Sequence, residues 1–297
     1  MFRKKKITLS KVIVYLFLIG VAISTIYPVI FMILSSFKDK IDYMKNMFGF
    51  PTVWKLNNYK AIFNSFDIKQ MMFNSFYVTI AGVVISLIVT SMAAFSLTKL
   101  KYKGRNGIFS LFMFVLMVPG QALMMPIYVI MSKLGLVNTR LSVILVYVAT
   151  SIAFSTYLLC QNCRDIPDEI IEAARIDGAG YPRVYGCIIV PMLRPTMATL
   201  AILNFLSYWN EIVYSRLLLQ KTQLHTMTLG LLTLNGKYGT NMPLLMSGLI
   251  INLIPALMIF MIFNKYLSKG IAMGAHINFL SLSLSLSLSL SLSLSFF

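Results

Sequence analysis

Residues able to carry chemistry are scarce in this chain of 297 residues, and they are unevenly placed. Cys160 and Cys163 form a C-x-x-C pair, a spacing that serves thiol redox chemistry or one half of a metal site. No second cysteine pair and no nearby histidine completes such a site: Cys187 stands apart, and the only histidines are His225 and His276. The cysteines are therefore expected to pack rather than react, and neither a metal nor a cofactor is called for. The acids are more informative. Of the nine aspartates and glutamates, Asp165, Asp168, Glu169, Glu172 and Asp177 crowd into one short segment. A membrane enzyme would need His, Cys or further acids clustered with them, so hydrolysis within this chain is not expected.

The acidic segment, Arg164 to Pro195, reads as helix, turn, helix. Pro167 suits a first helical turn, and Asp168 and Glu169 suit the positive end of the helix dipole. Gly178 supplies a residue that can turn left-handed at the helix end, and Tyr181-Pro182 opens a second helix. At about 100° per residue, Asp168, Glu172 and Arg175 share one face, with Ile170, Ala173 and Ala174 opposite. Asp168 and Glu172 are like charges at i,i+4, mildly unfavourable in an isolated helix, so an external cationic partner is expected. A helix resting on the membrane surface usually has a basic polar face and bulky apolar residues. Acids and alanines fit docking to a protein better.

The elements that position this segment are apolar. Hydrophobic residues make up 58% of the chain and charged ones 12%, against about 45–50% and 25% for soluble proteins. Runs almost free of charge are long enough to cross a bilayer core of roughly 30 Å. Six are expected: Val12 to Leu34, Met71 to Leu97, Ile108 to Ser132, Leu141 to Cys160, Thr196 to about Leu219, and Pro243 to Asn264. The fifth contains Glu211 and Arg216, which belong at the outer interface or facing a polar cavity. The first run is too long for a secretory leader and lacks a small-residue cleavage site, so it is expected to be retained. The pattern predicts an all-α membrane bundle of six spans with an amphipathic helix between the fourth and fifth.

Basic residues set the orientation. They gather in the N-terminus (Arg3 to Lys6, Lys11), in the loop carrying Lys99, Lys101, Lys103 and Arg105, and beside the last span at Lys265 and Lys269. The positive-inside rule makes these cytoplasmic, with both termini and the acidic segment on the same side. The loop Ser35 to Gln70 then lies outside, despite six lysines offset only by Asp39, Asp42 and Asp67. Its Trp54, Tyr59 and Phe63 are placed to anchor it at the interface or against a partner. A formal charge of +17 would point to nucleic acid in a soluble protein; here the cations flank apolar spans and meet anionic lipid head groups, so no nucleic acid is expected. Asn74, Ser75, Pro119, Gly120, Gln121, Pro126, Asn204, Asn252 and Pro255 interrupt the apolar runs, as in broken helices along a translocation path or in helices knit together by polar groups.

Glu172-Ala173-Ala174, Asp177-Gly178-Ala179, Ile188 and Pro191 resemble the EAA loop of ABC importer permeases. The resemblance runs along the chain through Ser36-Phe37-Lys38, Asn58-Tyr59, Asn74-Ser75, Gly104-Arg105, Pro119-Gly120-Gln121, Leu134 to Thr139 and Trp209-Asn210-Glu211. Together these look like the sugar-importing branch, and in particular the six-span second permease of maltose-type and multiple-sugar importers. That resemblance implies a bacterial cell-membrane protein working as a heterodimer with a second permease, two cytoplasmic ATPase subunits and an extracytoplasmic solute-binding protein that delivers sugar. Glu172, Ala173, Ala174, Asp177 and Gly178 would form the coupling helix seated in an ATPase cleft, with Pro191 completing the loop. Neutral sugars call for hydrogen-bonding groups and aromatic faces, which makes Asn204, Tyr208, Trp209 and Asn210 candidates for the substrate path, with helix packing or an interfacial belt as the other use of the same residues.

The permease domain is expected over 1–275. Beyond it, Leu280 to Ser295 alternates strictly between Leu and Ser. A repeated CT dinucleotide encodes that alternation, so 276–297 is read as a translated simple repeat with no transport role. An ion-gradient-driven transporter would be expected to carry more ionisable residues in its spans, or inverted repeats.

Overall fold

The computed structural model describes residues 9–65, 67–237 and 241–273, and among these every regular element is helical. The chain opens with α1 (Leu9–Ser36), followed by two short helices, α2 (Lys40–Lys45) and α3 (Asn57–Ser65). The long α4 (Ile68–Lys99) leads to α5 (Arg105–Val115), a 3-10 turn (Gly120–Leu123) and α6 (Met124–Lys133). Next come α7 (Arg140–Arg164), α8 (Asp168–Ile176) and α9 (Tyr181–Val184), which passes through a π-helical turn (Tyr185–Ile189) into α10 (Val190–Trp209). The chain ends in α11 (Val213–Leu218), α12 (Met227–Lys237) and α13 (Met242–Met273). The Leu-Ser tail at 276–297 lies outside the described residues.

Five helical stretches are long and apolar enough to cross a membrane: Val12–Ser36, Ile68–Lys99, Arg140–Arg164, Tyr181–Trp209 and Met242–Phe263. The expected third span departs from a straight helix. Arg105–Val115 and Gly120–Lys133 meet at 99°, and the count reaches six when this bent pair is one span. Pro119 accounts for the break: its backbone is extended, it lacks an N–H, and a proline disfavours helical geometry in the residue before it.

The expected fifth span, Thr196 to about Leu219, also needs correction. The helix begins at Tyr181 and stops at Trp209, with Asn210 as its cap. The Glu211 carboxylate accepts the Tyr214 N–H at 2.7 Å and so starts a separate short helix, α11, which carries Arg216. Both charged residues therefore lie beyond the span.

The described chain forms two compact units: residues to Phe76 with Ser215–Leu257, and Tyr77–Tyr214 with the residues from Met258. The first unit is built on Ile62, Ile68, Met71, Met227, Leu231, Leu244 and Leu245. Its irregular stretch before α12 is satisfied by polar residues of α4: Asn74 Nδ2 donates to the carbonyls of Gln223 (2.9 Å) and His225 (3.0 Å), and Ser75 Oγ accepts the Met227 N–H (2.7 Å). Non-helical backbone at the edge of a bilayer survives only with such internal partners. In the second unit, Ala94, Phe95 and Leu97 of α4 pack with Leu159, Cys160 and Cys163 of α7 and with Leu193 and Leu200 of α10. Both cysteines of the C-x-x-C pair are reduced and buried there, in the packing role expected of them.

Candidate functional site

The acidic segment folds as the spacing predicts. Pro167 precedes α8, Asp168 and Glu169 occupy its first turn, and Arg175 lies in its last. Gly178 takes φ +83°, the left-handed conformation that closes the helix. The Ala179 N–H reaches back to the Ala174 carbonyl (2.9 Å) and the Gly178 N–H to the Arg175 carbonyl (3.0 Å), a Schellman closure. Asp177 is the cap, with its N–H on the Ala173 carbonyl. Arg175 also donates to the Tyr181 hydroxyl (2.8 Å) and lies over its ring, bracing the corner from the side.

This corner is seated on the core of the second unit. Ile166 before the helix, Ile171 within it and Val184 after it are buried, and Ala174 and Ala179 pack against the same cluster. The inward stripe is therefore Ile171–Ala174. The expected stripe of Ile170, Ala173 and Ala174 is rotated, leaving Ile170 and Ala173 exposed. The expected external cation for Asp168 is also replaced by an internal one. Lys99, whose side chain is 5% exposed at the end of α4, sits 2.7 Å from Asp168 Oδ1 and donates to the Ile166 carbonyl. That hydrogen bond, and then the lysine's charge, hold the Asp168 carboxyl below its ordinary range. Sequence reasoning missed Lys99 in this role, since a lysine ending a span reads only as an inside-facing charge.

With Asp168 paired, the exposed surface of α8 includes Glu169, Glu172, Ala173 and Ile176 along one face, of which Ile176 is 86% exposed. A large aliphatic side chain framed by two carboxylates and held on a rigid corner can dock an apolar pocket with cations at its rim.

The second arm of the loop is joined to the spans through Tyr185. Its hydroxyl is 2.7 Å from Ser91 Oγ of α4 and its ring packs on Phe95. Here the helix widens: the Val190 N–H skips to the Tyr185 carbonyl, forming the π turn. Half-buried Pro191 follows immediately, and its ring and missing N–H are accommodated by that widening.

Of the substrate-path candidates, Asn204, Tyr208 and Trp209 are buried within the second unit. Asn204 Nδ2 donates to Ser86 Oγ (3.2 Å) and Ser155 Oγ (3.3 Å), and the Tyr208 hydroxyl meets Ser151 Oγ. The Tyr208 ring stacks on Tyr147 at 4.8 Å, and Trp209 stacks on Phe205 at 5.5 Å. The Asn204 and Tyr208 contacts join α4, α7 and α10, whereas Trp209 stacks on a residue of its own helix. Asn210 alone of the four is exposed, at the end of α10. Beside it, Glu211 accepts the Tyr147 hydroxyl at 3.3 Å, and the Tyr214 hydroxyl donates to the Gly120 carbonyl at 2.9 Å, just after the break in the third span.

Residues 86–273 match the family described as the binding-protein-dependent transport system inner membrane component. An arabinooligosaccharide transport system permease of Halalkalibacterium halodurans is 32% identical over 272 residues, covering 89% of this chain and 97% of that one. A multiple sugar-binding transport system permease of Streptococcus mutans is 32% identical over 265 residues, covering 88% and 95%. Among solved structures, a chain of a bacterial ABC transporter that imports the acidic polysaccharide alginate shares the fold, with a TM-score of 0.77 at 23% identity and coverage of 89% and 99%.

Proposed function

We propose how this chain works from one premise: it belongs to the family of binding-protein-dependent transport system inner membrane components. It is thus a multi-pass membrane subunit of an ABC importer. The reading proposed beyond that is sugar uptake, with this chain forming half of the pathway beside a second permease. Two separate ATPase subunits supply the energy and an extracytoplasmic solute-binding protein delivers the substrate. The sugar class is supported by the oligosaccharide and multiple-sugar permeases to which the chain is similar over most of its length. Both termini, the Lys99 to Arg105 loop and α8 are placed in the cytoplasm by the positive-inside rule.

One observation carries the mechanism: α8 is a closed, rigid corner packed on the ends of α4, α7 and α10, while its acidic and apolar outer face has no partner surface within the fold described. An importer must alternate between inward-open and outward-open states, and ATP can bias that equilibrium only through contacts that differ between them. Closure of an ATPase dimer on Glu172, Ala173 and Ile176 would move the corner, and the Gly178 to Pro182 turn, Tyr185 and Pro191 would pass that motion to α4 and α10. The test is retention of an ATPase and a second permease on purification, followed by sugar uptake and ATP hydrolysis in proteoliposomes. Glu172→Ala should lower uptake per ATP hydrolysed while leaving insertion intact. Unchanged coupling in that variant would remove α8 from the mechanism.

A further inference from the structure

The segment between α1 and α3 buries a lysine and exposes a set of large apolar side chains. Its interior is polar: Lys38 is fully buried, with Nζ donating to the carbonyls of Asn46 (2.6 Å) and Met47 (3.0 Å). Asn58 Nδ2 donates to the carbonyls of Ser36 (2.8 Å) and Lys38 (2.7 Å), and at the surface Asp39 pairs with Lys55 at 2.8 Å and Asp42 accepts the Thr52 N–H at 3.1 Å. Its exterior is apolar: Ile41, Met44, Phe48, Phe50, Val53 and Trp54 are each more than half exposed, Met44 and Phe50 at 74%. Polar groups locked inside hold the backbone in one shape, so the apolar exterior is a fixed surface. So many large apolar side chains exposed within one short segment mark an interaction surface.

The position of this surface is set by α1. Phe31, within the Val12–Ser36 span, packs on Phe48 at 5.7 Å and on Tyr43 at 6.5 Å. Phe31 lies five residues before the helix end at Ser36, about 7.5 Å along the axis. The segment thus folds back beside the last turns of α1, which places Phe48 next to Phe31 rather than beyond the end of the helix. Helices lying in the interface bury their apolar face to about 5–10 Å, the same depth. Lys40 and Lys45 are exposed on the segment and can reach head-group phosphates, and tryptophan favours the head-group level.

We propose that residues 40–56 form a membrane-interface foot, seated in the head-group and upper acyl region of the lipid leaflet beside the end of α1 and held in shape by the buried Lys38 and Asn58 contacts. The foot fixes the depth and tilt of a span whose own residues make little contact with the rest of the fold. The proposal rests on α1 spanning the membrane.

The chain has two tryptophans, Trp54 and Trp209, and Trp209 is buried. The difference in emission between the wild-type transporter and Trp54→Phe therefore isolates Trp54. The complete transporter is reconstituted in phosphatidylcholine vesicles whose acyl chains carry bromine near the head-group end, and in unbrominated vesicles. Bromolipid is expected to reduce the Trp54 component at least twofold. Loss of less than that, with quenching by aqueous iodide, would put the segment in water and overturn the proposal. Protection from both quenchers would overturn it in favour of a protein partner covering the surface. Ile23→Trp in the Trp54→Phe background reports separately whether α1 lies in lipid.

Discussion

Lys99 Nζ stands 2.7 Å from Asp168 Oδ1 and also holds the Ile166 carbonyl, fastening the end of α4 to the first turn of α8. One buried lysine thereby closes an intramolecular ion pair and determines which acids of the segment remain for a partner.

Removing the two ends of this contact should have unequal effects. Asp168→Asn is expected to cost less than about 1 kcal/mol, because the carboxylate is well exposed and solvent screens the pair. Lys99→Met should cost about 1–3 kcal/mol, since the Ile166 carbonyl loses its donor in a buried setting. Thermal unfolding of the purified transporter in detergent would rank the two.

The same pair has a defined pH dependence. The folded-state value of Asp168 is lowered, first by the Lys99 hydrogen bond and then by its charge. Its contribution is therefore present above the ordinary carboxylate value of about 3.9 and is lost as pH falls through the lower folded value. The difference in unfolding temperature between wild type and Asp168→Asn should stay constant from pH 8 to about 5 and shrink below about 4.

Gly178 is set by its backbone alone: no atom lies within 4 Å of where a Cβ would stand, yet φ is +83°. Gly178→Val should therefore strain the corner by about 1–3 kcal/mol without a steric clash, leave insertion intact and reduce sugar uptake per ATP hydrolysed. Gly178→Asn should retain most of the coupling, because asparagine tolerates the left-handed region. Equal losses in both variants would implicate the side-chain space instead.

Ile176→Ser tests the outward face. As the side chain is 86% exposed, folding stability should change by no more than about 0.5 kcal/mol. Retention of the ATPase during purification should nevertheless weaken. An unchanged yield of ATPase would exclude Ile176 from the docking surface.

Asn204→Ala separates packing from substrate contact. Loss of its hydrogen bonds to Ser86 and Ser155 should lower stability by about 0.5–2 kcal/mol. The KM for sugar should be unaffected, whereas Asn210→Ala, at the exposed end of α10, should move KM with little change in unfolding temperature.

Much of the loop was legible because its signals are local. Pro167, the acids after it, Gly178 and Tyr181-Pro182 each act through the backbone of their own turn, and the helix boundaries followed from them. The face that α8 turns inward was not legible. Helical spacing put Ile170, Ala173 and Ala174 on the apolar side, whereas packing buried Ile171 with Ala174 and Lys99, far away in the chain, took up Asp168. The apolar stretch of the fifth span, Thr196 to Asn210, was legible up to its charged residues, whereas the separate helix after it was not, because it starts where Glu211 reaches the Tyr214 N–H.

Composition, charge placement and turn chemistry by themselves determined a membrane-spanning helical chain with a helix-turn-helix segment between its later spans, because burial in lipid and local backbone geometry leave few other solutions. Tertiary structure decided what those residues do: that Asp168 is satisfied within the chain while Glu172 is left outward, that Asn204 and Tyr208 knit α4, α7 and α10 together, and that Lys38 is buried against the carbonyls of Asn46 and Met47. Each of these outcomes depends on partners distant in sequence. Hydrogen-bond and burial competition among such partners exists only once the helices are packed.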